Sequence, residues 1–116
     1  MTENEGRSMT ETEYLEKIEA AFLWIESQID TWNGRHDLVL ETGRHGPVVE
    51  VEFESGQKII VNAQAPTQQL WLASIEGAHH FVWQDNHWTD TRGHGEFRAV
   101  FLRHSRLLSG LEALAC

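Results

Sequence analysis

A chain of 116 residues has the size of one domain, and 41% hydrophobic residues, with five Trp and five Phe, exclude wholesale disorder. Eighteen Asp and Glu against nine Lys and Arg give a formal net charge of -9. That excludes nucleic acid as a partner, because phosphate binding needs a basic surface, and it favours a cation or a basic protein patch.

Cys116, the single cysteine, excludes a disulfide framework and a CxxC redox pair, and points to a reducing compartment. The first eight residues hold no apolar run of the signal-peptide kind. Nor is there a run of the ~20 apolar residues that spans a bilayer. A soluble cytoplasmic protein without a membrane partner is expected. The charge is uneven: residues 1–54 carry 13 acids and 4 basic residues, whereas residues 55–116 carry 5 of each. The whole excess lies in the first half.

The chain reads as a single domain over residues 1–116, with residues 1–9 expected to be disordered. A first helix starts between Ser8 and Thr12, where Ser8 with Glu11 or Thr10 with Glu13 forms a capping box. Tyr14, Ile18, Ala21, Phe22, Ile25, Ile29 and Trp32 recur at helical spacing, and Asn33-Gly34 is expected to end the helix after about 20 residues. On its flank, Glu19, Glu26 and Asp30 fall within about 40° of one another, with Glu16 about 40° beyond. Like charges at this spacing repel. Lys17 is the only basic residue in the helix, so the row is expected to stand uncompensated.

Period-two alternation follows. Leu38 and Leu40 mark a first strand, with Asp37, Val39 and Glu41 on its other face. Val49, Val51 and Phe53 face inward in a second strand, and Glu50, Glu52 and Glu54 outward. Glu54-Ser55-Gly56 is a hairpin turn, residues 58–61 a third strand, and Pro66 breaks the ladder. Strands over 69–74, 79–84 and 87–90 complete an antiparallel meander. A second helix spans residues 96–113 with a stripe of Phe97, Val100, Phe101, His104, Leu107, Leu108, Leu111 and Leu114. Two amphipathic helices over one apolar sheet face make an α+β two-layer sandwich of five to six antiparallel strands.

Inward Leu70 and Leu72 set Gln69, Trp71 and Ala73 on the helix-free face, where an exposed Trp is an interface residue. Trp83 shares the parity of Phe81 and is expected in the core. No phosphate-binding loop, HExxH, EF-hand or nucleophile-elbow motif occurs. His79 and His80 point to opposite faces, and no four-ligand zinc group is visible. His36, beside Asp37, is a candidate ligand in a loose cation site.

The segment from Gly56 to Ala73 carries Asn62-x-Gln64-x-Pro66 followed by Gln69-x-Trp71, with His80-Phe81, Trp88, Arg92 and Phe97 beyond it. In these residues, and in Ile25 to Trp32, the chain resembles the frataxin family in its bacterial CyaY branch, over about Thr10 to Leu108. The resemblance implies two near-parallel helices on an antiparallel sheet and a non-enzymatic role in iron–sulfur cluster assembly. It implies weak surface binding of ferrous or ferric iron on an acidic ridge, here Glu13, Glu16, Glu19, Glu26, Asp30, Asp37 and Glu41, with His36 added. It also implies docking on the cysteine desulfurase, with the cluster scaffold as a further partner, through a surface that continues to Asn62, Gln64, Gln69 and Trp71. Thr31, Asn33 and Arg35 stand in or next to positions where the family is often acidic. A metal-independent adaptor whose acidic ridge docks a basic partner is the alternative. A ferroxidase is a weaker third reading, because no paired-carboxylate-and-His motif is present.

Overall fold

The computed structural model describes residues 9–116. The expectations for residues 1–8, including a Ser8 cap, lie outside the described residues. Met9 is tied down: its N–H donates to Gln68 Oε1 at 3.1 Å, and its carbonyl accepts from Gln68 Nε2 at 2.6 Å.

Helix α1 spans Glu11–His36, and Thr10 caps it. Thr10 Oγ1 accepts from the Glu13 N–H at 3.0 Å while Glu13 Oε1 accepts from the Thr10 N–H at 2.8 Å, the reciprocal capping box. The helix does not stop at Asn33-Gly34 as expected. It runs on to His36 and ends at Asp37, which takes the left-handed conformation at φ 55°. Asn33 instead clasps Leu40: Nδ2 donates to the Leu40 carbonyl and Oδ1 accepts from the Leu40 N–H, both at 2.9 Å.

That clasp corrects the first strand. With both backbone groups of Leu40 taken by one side chain, residues 37–40 do not join the ladder, although Leu40 is buried. Strand β1 is Glu41–His45, a segment whose Thr-Gly-Arg core lacks the alternation that marks a strand. It turns through Gly46-Pro47 into β2, Val48–Glu52. β3 is Lys58–Gln64, three residues longer than expected. Pro66 then sits in a 3-10 turn over Ala65–Thr67. β4 is Gln69–Ser74, β5 Gly77–Gln84 and β6 His87–Asp90. Asp85 and Asn86, at φ 53° and 65°, make the tight β5–β6 turn.

The six strands lie in sequence order and all pairs are antiparallel. One sheet face, with Val49, Val51, Ile59, Val61, Leu70, Leu72 and Phe81, is closed to solvent beneath α1 and α2. Helix α2 covers Phe97–Ser109 and ends at Gly110, whose φ of 74° makes it the C-cap rather than a weak point inside a longer helix. The helices meet through Trp24 on Phe97 and Phe101, and through Trp32 stacked on Phe101 at 6.0 Å. Leu107, expected in the apolar stripe, is instead exposed. The tail returns Leu114 to the core, with Trp32 Nε1 donating to the Ala115 carbonyl at 3.0 Å and Arg106 Nε to that of Leu114 at 2.9 Å. Trp83 is half-buried against Trp88, not in the core. Among the described residues no helix is long and apolar enough to cross a membrane.

Candidate functional site

The acids of α1 separate once folded. Tyr14, Ile18, Ile25 and Ile29 fix one side of the helix to the core, which turns Glu19, Glu26 and Asp30 toward the β1 edge. On β1, Arg44 is the register partner of the inward Val49, so its side chain rises toward the helices. Its Nη2 and Nε meet the two Glu26 oxygens at 3.1 and 3.2 Å, and Nη1 meets Glu19 Oε1 at 2.8 Å. The guanidinium also lies over the Phe22 ring, 5.2 Å from its centroid. The row is therefore not uncompensated, as the sequence led one to expect; a single arginine on another element neutralises part of it. Asp30 is exposed and has no ion pair among the described residues.

The other ridge candidates scatter. The Glu13 carboxylate serves the capping box. Glu16, exposed, lies farther round the helix and lines a groove of about 450 Å³ with Lys17, Trp24, Trp83, His87 and Arg98. His36 is half-buried in the last turn of α1, and Asp37 is exposed at its cap. Glu41 is the register partner of Glu52, across from the inward Val51 and Thr42 pair, so both carboxylates stand on the helix-free face. The fold thus brings together Glu19, Glu26 and Asp30, and does not gather all eight candidates at one point.

On the helix-free face the four remaining candidates form one patch. Asn62 is opposite Trp71, and Gln64 opposite Gln69. Trp71 is in turn opposite His80, their rings stacked 4.1 Å apart at 13°. Trp71 Nε1 donates to Gln69 Oε1 at 2.7 Å. The indole is thereby stacked face to face on the His80 ring and bonded to Gln69, half-buried and with its conformation fixed from two sides, a rigid aromatic group of the kind that anchors interfaces. Ile60, 40% exposed, extends the patch. Two contributors were missed at sequence level. His80 could have been found from its parity with Ala78 and its place beside the outward Trp71, whereas Arg44 gave no signal because the strand that aims it has no hydrophobic period.

The family model for the Frataxin-like domain matches residues 7–108. The iron-sulfur cluster assembly protein CyaY of Bordetella petrii is 42% identical over 85 residues, covering 73% of this chain and 78% of that protein. Its counterpart in Bordetella parapertussis is 44% identical over the same coverage. Among solved structures, the frataxin of Psychromonas ingrahamii superposes with a TM-score of 0.70 at 26% identity, over 88% of this chain and 93% of that one. Trimeric frataxin from Saccharomyces cerevisiae, complexed with ferrous iron, shares the fold at a TM-score of 0.67 and 16% identity, over 90% and 92% of the two chains. With a family model over most of its length and relatives above 40% identity, the chain belongs to the frataxin-like family.

Proposed function

We propose that this chain acts in iron–sulfur cluster assembly, as an iron-binding regulator or iron donor that docks on the cysteine desulfurase complex in the cytoplasm and catalyses no reaction of its own. The names of its Bordetella relatives support the pathway. The observation that carries the docking is the Asn62–Trp71–His80 row beside Gln64 and Gln69, with the Trp71 ring fixed by stacking and a hydrogen bond. A preset aromatic surface loses little conformational freedom on binding. Carboxylates on the β1 flank suit a hard cation, which oxygen ligands hold without fixed geometry, so iron is bound weakly there as cargo. Charge on this acidic half steers a basic partner into register.

The Arg44 clasp favours a second reading, a metal-independent adaptor. An arginine already in contact with Glu19 and Glu26 occupies oxygens that iron would need. Anaerobic calorimetric titration with ferrous iron separates the two. Binding heat that falls in Glu19→Gln and Asp30→Asn supports the iron-carrying role. Full affinity for the desulfurase with no iron heat at these carboxylates supports the adaptor.

A further inference from the structure

At the opposite edge of the sheet, β5 and β6 pair so that Phe81 is opposite Asp90. Asp90 is buried on the helix side, and His79, two residues before Phe81, shares that side. His79 Nδ1 lies 2.7 Å from Asp90 Oδ2. Beyond β6 the chain folds back through Gly93 and Gly95, at φ 82° and 105°, values glycine adopts freely. The Asp90 N–H donates to the Gly95 carbonyl at 2.9 Å, and the Gly93 N–H to that of Asp90 at 3.2 Å. This return brings His94 Nδ1 to 3.4 Å from the same Oδ2. One oxygen is approached by two imidazoles, and the three ligand atoms lie within 4.8 Å of one another.

We propose that His79, Asp90 and His94 form a binding site for one divalent first-row transition cation, separate from the acidic row of α1. Two nitrogens and one carboxylate oxygen suit Zn²⁺, Co²⁺, Ni²⁺ or Fe²⁺ rather than Ca²⁺ or Mg²⁺, which prefer all-oxygen shells. Metal–ligand bonds of ~2.0–2.2 Å set neighbouring ligand atoms roughly 3–4 Å apart, close to the spacing already present. The cation takes the place of the proton between His79 and Asp90. Asp90 Oδ1 accepts the Arg92 N–H at 2.6 Å, which fixes the carboxylate and aims Oδ2 at the imidazoles. His104 packs edge-on against His79 at 5.2 Å and is itself anchored to Ser74 Oγ at 2.7 Å, which restrains the His79 ring.

Exposure gives the site a floor and a door. The Asp90 side chain is 1% exposed and that of His79 10%, while that of His94 is 55% exposed. Solvent reaches the cation past His94, leaving positions for water as in three-ligand catalytic sites. A merely structural Asp90 would be served by the Arg92 N–H and His79; His94, on the turn, is the member such a role does not use. The site does not depend on the desulfurase reading, and it lies on other elements than Glu19, Glu26 and Asp30.

Titration of the tag-free, chelator-stripped full chain with Co²⁺, followed by visible absorption and by histidine ring resonances, tests the proposal. One Co²⁺ per chain should bind with shifts at His79 and His94. His94→Ala should weaken it at least tenfold while the metal-free thermal midpoint stays that of the parent, and Glu19→Gln with Asp30→Asn should leave this Co²⁺ in place. Equal Co²⁺ affinity in His94→Ala and the parent, or shifts confined to α1, would overturn the site.

Discussion

Arg44 holds Glu26 with two nitrogens at 3.1 and 3.2 Å across the gap between β1 and α1, and its third nitrogen reaches Glu19. Bidentate geometry is the strong form of an ion pair. Both side chains are about one-third exposed, so solvent screening keeps its worth near the upper end of surface pairs. Glu26→Gln should therefore lower stability by about 0.5–1 kcal/mol, the reverse of what a row of unrelieved repulsion implies. Asp30→Asn, with no partner to lose, should raise it by a few tenths of a kcal/mol at low salt. Chemical denaturation of both variants checks the pair; a gain in Glu26→Gln would mean the clasp is not formed in solution.

The same contact gates the carboxylates. Arg44→Ala frees Glu19 and Glu26 and leaves the -9 charge one unit more negative. Ferrous iron should then bind the α1 flank several-fold more tightly, with a salt dependence steeper than in the parent. Nuclear magnetic resonance mapping in the His94→Ala background isolates this flank. Unchanged shifts at Glu19, Glu26 and Asp30 would show that these carboxylates do not hold iron.

The tail contributes to stability. Leu114 is fully buried, and Arg106 and Trp32 donate to the carbonyls of Leu114 and Ala115. Leu114→Ala should cost about 2–3 kcal/mol, whereas Leu107→Ala, at an exposed site, should change stability by under about 0.5 kcal/mol. Two denaturation curves decide this.

His104 sets a pH dependence. Burial, then the charges of His79 and Arg103, push its imidazole from 6.5 down to about 4, and Nδ1 is engaged with Ser74 Oγ. Between those values the unfolded chain binds a proton that the fold excludes. Stability from this residue is therefore full above pH 6.5 and is lost as pH falls toward 4, by roughly 2–3 kcal/mol in all. With chelator present, His104→Gln should flatten the decline over that interval relative to the parent; parallel curves would contradict the assignment.

Most of the sheet was legible in the sequence because β2 to β6 alternate cleanly and their turns carry Gly, Pro or Asp-Asn. The boundaries of β4 and β6 match expectation, and so do the inward Leu70 and Leu72. What escaped depended on side chains meeting across elements. Asn33 looks like a helix stop but captures Leu40. The true β1 has no period because its Arg44 serves the helix layer and Gly43 has no side chain. Of the outer patch, parity gave Gln69 and Trp71 and the family resemblance gave Asn62 and Gln64, while His80 comes into line with Asn62 and Trp71 through the register. The His79–Asp90–His94 group was not, because its third member arrives through a glycine-flanked return that no spacing rule foretells.

The docking face turns on Trp71. Its stack on His80 is a cross-strand pair worth at most about 1 kcal/mol, so Trp71→Ala should leave the fold intact and cost the free protein no more than that. Calorimetry of the variant against the cysteine desulfurase, scaled to folded protein, is the direct measurement. A loss of about 2 kcal/mol or more in binding is expected, roughly thirtyfold in affinity. Undiminished affinity in Trp71→Ala would contradict it.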